Sequence, residues 1–209
     1  MTSTARPLSD LLSSQTQRGD ESWGLGTLAG RLVEISGAQS TAVLTAAFGL
    51  VLEAQAAGEP ACWITLDSSS FFPQDVEEGG VDLENLAVVR VPDACAAGRA
   101  ADPLTRSGGF GLVVIDIASR LFLPSRNSNL PEPLQTRLLG LAQKHGTAVV
   151  VLTEKPTDAP SLSSLVSLRA EARRGPGFPA TVEIFVLKDK RRGPGRTHHE
   201  VCRGTAGLH

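Results

Sequence analysis

Between Gly30 and Leu44 the chain reads Gly-Arg-Leu-Val-Glu-Ile-Ser-Gly-Ala-Gln-Ser-Thr-Ala-Val-Leu. An apolar strand, Leu32 to Ile35, runs into Gly37, and a helix opens a few residues later. This is the layout in which the pattern G-x-x-x-x-G-K-[ST] holds a triphosphate. Glycines there let backbone N–H groups approach phosphate oxygens, the lysine supplies a cation for the β/γ-phosphates, and the hydroxyl binds Mg²⁺. With Gly37 as the first glycine, the loop passes through Ser40. The second glycine becomes Ala42, the lysine Val43 and the hydroxyl residue Leu44. A valine facing a triphosphate desolvates charge without compensating it. The loop is expected to hold no nucleotide, and no cofactor or metal is expected elsewhere.

The other residues that could do chemistry lack a partner for it. Asp116 ends a run of apolar residues, where a carboxylate would hold Mg²⁺ through water, but without a phosphate loop it has no metal-bound nucleotide to serve. A structural role, capping nearby backbone N–H groups, is the competing reading. After the second strand comes Leu66-Asp67-Ser68-Ser69-Ser70. A base placed there accelerates nothing without bound phosphate. Ser68 to Ser70 lack the G-x-S-x-G elbow of a hydrolase. His198 and His199 are adjacent in a strand, point to opposite faces and cannot chelate one ion together. Gly24-Leu-Gly-Thr-Leu-Ala-Gly30 precedes a strand instead of following one and reads as a turn. The chain is therefore expected not to be an enzyme.

These residues are positioned by alternating strands and helices. The pattern predicts strand 31–36, helix 41–57 stopped by Gly58, and strands 62–66 and 86–91. A short alanine-rich helix follows, from Ala94 to about Ala101, broken near Pro103. Next come a buried strand at 111–116, a helix opened by Pro131 and Pro133 and closed by Gly146, and a buried strand at 147–152. Leu134, Leu138, Leu141 and Ala142 share one face of that helix. From Thr181 two strands joined by Arg191-Arg-Gly-Pro-Gly195 read as a hairpin. The expected fold is α/β, a mostly parallel, helix-covered sheet with a C-terminal antiparallel hairpin.

Composition fits that architecture. The chain has 209 residues, 41% hydrophobic and 20% charged, enough to bury a full core as one domain. Residues 1–22 read as a flexible leader and 23–209 as the domain. No apolar run reaches bilayer length, and the leader lacks the apolar stretch of a signal peptide, so a cytoplasmic location is expected. The cysteines Cys62, Cys95 and Cys202 include no C-x-x-C pair and read as buried thiols in a reducing compartment. The net charge of −2 is unevenly spread. Asp75, Glu77, Glu78, Asp82 and Glu84 form an acidic cluster, and Lys188, Lys190, Arg191, Arg192 and Arg196 a basic one. Both read as solvated turn surfaces or, for the basic set, as a contact for an acidic partner or nucleic acid. No aromatic residue is interleaved there for base stacking.

Four segments resemble the RecA recombinases in order and spacing, over about residues 24 to 208. They are Gly30–Gly37, Gly80-Val-Asp-Leu-Glu-Asn-Leu86, the Walker B-like Leu112–Asp116 and Val186-Leu-Lys-Asp-Lys190. The resemblance implies a RecA-like fold and assigns what has been lost. Serine occupies the position of the glutamate that activates water after the second strand. The segments in the place of the two mobile DNA loops, 117–130 and the short, non-basic Thr153–Asp158, look reduced. The N-terminal polymerising arm is not recognisable in residues 1 to 20. Lys188 and Lys190 resemble the pair that reaches a neighbour's nucleotide across a filament interface, and read equally as surface lysines.

A core stripped in this way is suited to binding a protein. By the same resemblance, the acceptor for a partner's arm is strand 86–91 with the helix after it, through Leu86, Val88, Arg90, Val91, Ala97, Ala101 and Leu104. The small Ala96, Ala97 and Ala100 leave room for an apolar anchor, or else let the helix pack closely on its own sheet. The profile resembles the ImuA family of accessory factors in bacterial mutagenic translesion synthesis. That resemblance implies an adaptor for an ImuB-type Y-family polymerase homologue, with RecA and an error-prone replicative-type polymerase as further partners, acting at the nucleoid after DNA damage. Nucleic acid is expected to bind at most weakly. The alternatives are a SulA-type division inhibitor binding FtsZ, a weak ATPase using Asp116 and a distant lysine, and a nucleic-acid-binding module using Arg191 and Arg192.

Overall fold

The computed structural model describes residues 23–38, 42–67, 73–118, 129–175 and 181–201. The elements in chain order are α1 (Leu25–Leu28), β1 (Arg31–Ser36), α2 (Ala42–Ala56), β2 (Ala61–Leu66), α3 (Pro73–Glu78), β3 (Leu86–Val91) and α4 (Ala94–Ser107). They continue with β4 (Leu112–Asp116), α5 (Glu132–His145), β5 (Ala148–Thr153), β6 (Leu168–Gly175), β7 (Thr181–Asp189) and β8 (Thr197–Val201). One eight-stranded sheet runs in the order β3-β2-β4-β5-β1-β6-β7-β8. β1 to β6 are parallel, and β7 and β8 complete the sheet antiparallel. The expected architecture is the one observed.

Strand alternation divides the core. Val33, Ile35, Trp63, Val114 and Val150 point to the face covered by α1, α2 and α3, where Phe48 stacks on Trp63 with ring centroids 4.3 Å apart. Leu32, Ile64, Ile115 and Val151 point to the face covered by α4 and α5. Strands buried on both faces read as continuous apolar runs, as β4 does. Cys62 lies wholly inside, and burial pushes its thiol up to about 11. Cys95 is only half-buried, against the expectation of a buried thiol, and Cys202 lies outside the described residues.

Helix α1 occupies the Gly24–Gly30 stretch that reads as a turn, α3 is absent from the sequence pattern, and two further departures bear on the site. First, Pro103 does not break α4, which continues to Ser107 and closes at Gly108 with φ 67°. A proline deprives the carbonyl four residues back of its donor. Here that residue is Arg99, on the exposed face, where water can replace the lost bond. Asp93 caps the start by accepting from the Ala96 N–H at 2.7 Å. Second, β6 is a full strand absent from the expectation. Its inward residues are Leu168, Ala170 and Ala172, and its other face carries Arg169, Glu171 and Arg173. Small residues alternating with charges give a weak apolar signal.

Helices α4 and α5 lie side by side, brought close at Gly98. A Cβ there would stand 2.6 Å from Leu130 Cδ1 and 2.8 Å from Leu134 Cδ1. Gly98→Val is expected to destabilise the protein by about 1–3 kcal/mol in urea unfolding. Gly140→Ala, where an added Cβ meets nothing within 4 Å, is expected to stabilise it by about 0.5–1 kcal/mol.

Candidate functional site

The residues where a phosphate loop would act lie at the C-terminal end of β1. Gly37 is buried at the end of the strand and Ala38 is exposed, while Ser40 lies outside the described residues. Ala42 and Val43 open α2 with 0% and 4% of their surface exposed, both within the core beneath the helix, and Leu44 packs against its edge. The position a phosphate-binding chain gives to lysine thus belongs to the hydrophobic core. Asp116 ends β4 nearly buried beside Thr65, and its Oδ1 accepts from the Ala118 N–H at 3.3 Å. That local turn is what a capping role requires. Asp67 is exposed past the end of β2, and Ser68 to Ser70 lie outside the described residues.

A buried polar network lies on the α4/α5 face of β1, and sequence reasoning missed it. Glu34 has no exposed side-chain surface. Its Oε1 meets Lys155 Nζ at 2.5 Å and accepts from Thr153 Oγ1 at 2.9 Å, and its Oε2 accepts from the Leu162 N–H at 2.9 Å. A buried charge persists only when paired and hydrogen-bonded in this way. Arg169, also buried, donates to Ser36 Oγ at 3.2 Å and to the carbonyls of Pro156 and Ala159. Gln135 bridges α5 to the same region, donating to Leu130 O and accepting from Ser163 Oγ, each at 2.6 Å.

These bonds hold the connection between β5 and β6, which runs from Glu154 to Ser167. The short loop expected after Leu152 is corrected in length: a long segment folds across the sheet because Glu34 and Arg169 engage its backbone. Its one cation, Lys155, is spent on Glu34. A glutamate in the midst of the apolar Leu32-Val33 and Ile35 was the available signal.

The basic cluster divides on inspection. β7 runs antiparallel to β6, so its C-terminal end lies at the edge of the sheet opposite Gly37. Lys190 Nζ donates to Ser164 O at 2.6 Å, and Lys188 Nζ approaches Ser163 O at 3.5 Å. Burial, together with the charge of Lys190, holds the Lys188 ammonium below its ordinary value, against the pull of Glu34. Neither lysine lies at the loop end of its own chain. Arg191 and Arg192 are exposed on the hairpin, while Arg196 pairs with Asp189.

Asp189 is the bolt of this end. It has no exposed side-chain surface, and its Oδ1 meets Arg31 Nη2 at 2.6 Å, while Arg31 also donates to Ser167 O at 2.9 Å. Burial pushes the Asp189 carboxyl up, but the backbone N–H of Arg191 and the Arg31 guanidinium outweigh it and hold the carboxyl below its ordinary value.

The expected acceptor narrows. β3 is the sheet's edge, paired among the described residues with β2 alone. Leu86, Val91, Ala97 and Ala101 are buried in the chain's own core and cannot receive a partner. Close packing on the sheet explains those alanines. Val88, 40% exposed, and the exposed Arg90 remain on the strand, with Leu104 half-buried beyond them.

The RecA N-terminal domain model matches residues 6–151. The chain belongs to that family. Protein RecA of Frankia alni is 33% identical over 136 residues, covering 63% of this chain and 39% of the relative. Protein RecA of Rubrobacter xylanophilus is 40% identical over 96 residues, covering 46% of this chain and 28% of the relative. The RecA-family chain therefore spans about two fifths of the first relative's length. A KaiC-like protein of Pyrococcus horikoshii superposes with a TM-score of 0.59 at 16% identity, covering 82% of this chain and 85% of its own, and shares the fold. No helix among the described residues is long and apolar enough to cross a membrane.

Asp189 supplies a prediction with a definite sign. A carboxyl depressed in the folded state stabilises above its unfolded value of about 4, and that contribution is lost as pH falls below it. Asp189→Asn is expected to cost about 3–5 kcal/mol at neutral pH, because it leaves Arg31 buried without its counter-charge. The gap between the two proteins should narrow in urea titrations as the pH is lowered through that window.

Proposed function

We propose that this RecA-family chain is a non-catalytic adaptor in mutagenic translesion DNA synthesis. In this reading it binds an ImuB-type Y-family polymerase homologue through the β3 edge and acts at the nucleoid after DNA damage. RecA and an error-prone replicative-type polymerase are the further partners. The observation that carries the reading is Val43, 4% exposed within the core at the position that should carry the phosphate-binding cation. A lysine there would bury an ammonium among apolar side chains, so the substitution is built into the packing. With Ala42 and Leu44 beside it, the loop lacks the glycine, cation and hydroxyl that ATP chemistry requires. What such a scaffold retains is surface. β3 offers backbone groups for an added strand, with Val88 as an apolar contact.

Calorimetric titration with Mg·ATP is expected to show no heat, and the melting temperature is expected to stay unchanged at saturating nucleotide. Clear binding would overturn the non-catalytic reading and return the chain to the ATPases. Val88→Glu should weaken capture of an ImuB-type partner by on the order of tenfold or more while leaving the melting temperature unchanged. Undiminished capture would move the interface off β3, and selective capture of FtsZ instead would favour a division inhibitor.

A further inference from the structure

The outer groove between α4 and α5 carries a feature that the adaptor reading does not use. Where Gly98 draws the helices together, Leu130 and Leu134 fill the contact. Beyond that point the helices enclose an open cleft of about 660 Å³, lined by Arg99, Asp102, Pro103, Arg106, Leu134 and Arg137. Asp102 is at its base, with 12% of its side chain exposed, and it pairs with both Arg106 and Arg137. Those two side chains nevertheless remain 52% and 54% exposed. Arg99, one turn back on α4, is exposed as well. Three guanidinium charges thus face one carboxylate among the described lining residues, a net charge of +2. A guanidinium has five N–H donors and a carboxylate about four acceptor sites, so Asp102 leaves most of the donors available.

We propose that this cleft is a docking site for an acidic peptide segment of a protein partner. Its carboxylates would bridge Arg99, Arg106 and Arg137, and an apolar side chain would seat on Pro103 and Leu134. Arginine forks match carboxylates in bidentate geometry, and Asp102 pre-orients two of them by holding their inner edges. The mixed lining favours peptide over nucleic acid. The apolar Pro103 and Leu134 among the lining residues suit a side chain, whereas a phosphodiester groove needs polar contacts along its length, and no aromatic residue lines the cleft for a base to stack on. The volume suits a few residues. The inference stands apart from the proposed function: nucleotide binding at the β1 loop would sink that reading and leave the cleft as it is.

The test uses the full chain and fluorescence anisotropy. The probe is a fluorescein-labelled peptide of aspartates flanking one leucine. Its controls are the same peptide with asparagine for aspartate, and an oligothymidylate of equal length. The acidic peptide should bind in a salt-sensitive way and the asparagine peptide should not. Arg99→Glu changes an exposed residue and should weaken binding by on the order of tenfold, with an unchanged melting temperature. Arg137→Gln should weaken it less, and Arg191→Glu on the distant hairpin should leave it intact. Binding that survives Arg99→Glu but is lost in Arg191→Glu would place the contact on the hairpin and overturn the proposal. Oligothymidylate that displaces the peptide and itself depends on Arg99 would identify a nucleic-acid site instead. Self-association in sedimentation that Arg99→Glu abolishes would make the occupant a second copy of this chain.

Discussion

Glu34 sits in the middle of β1, which is flanked on both sides by parallel strands, and its carboxylate has no contact with water. An unpaired charge in that position would cost more than any single apolar contact could return. Lys155, Thr153 and the Leu162 N–H resolve it from one direction, and they do so by pulling residues 154–167 across the sheet. Once that segment is held, its carbonyls become acceptors for Arg169 and Lys190, and Ser163 reaches Gln135 on α5. One buried carboxylate thus organises the segment that lies beside α5 on this face of the sheet.

The antiparallel extension depends on a second buried pair of the same kind. Arg31 begins β1 and Asp189 ends β7, and their contact joins strands far apart in sequence while Arg196 closes the hairpin on the other carboxylate oxygen. The sheet therefore grows from a parallel α/β core into eight strands by ion pairs at its end, as well as by the Leu168, Ala170 and Ile184 side chains that continue the core under α2. Breaking either pair would leave a charge behind, which makes these pairs more consequential for specifying the register than their net energy suggests.

The same economy of polar groups bears on function. At the loop after β1, apolar packing has taken the place of a cation, and the polar residues have moved to structural work: Asp116 caps a turn, and Lys188 and Lys190 lean on the 163–164 backbone. Exposed features among the described residues include the β3 edge, the arginine-lined cleft and the hairpin arginines. Each presents N–H donors or an open strand edge. RecA-family membership describes the scaffold on which these surfaces stand.

The sequence by itself determined most of the strand–helix order, the parallel core and the departure of the β1 loop from the phosphate-loop pattern. Period-two and period-3.6 apolar patterns are local, and Ala42, Val43 and Leu44 can be compared with the phosphate-loop pattern one position at a time. Only the tertiary structure decided where charges far apart in the chain meet. The 154–167 segment looked short because its anchor, Glu34, lies more than a hundred residues earlier. β6 was hidden because its alanines and arginines acquire meaning only beside β1 and β7. The acceptor list shrank because burial of Leu86, Val91, Ala97 and Ala101 depends on which face of β3 and α4 meets the sheet. Pro103 stayed inside a helix because the carbonyl it leaves unmatched faces solvent, and the arginine cleft exists only once α4 and α5 lie side by side. Local pattern fixes what each segment can be; pairing of buried charge and choice of face are long-range events that no window of sequence contains.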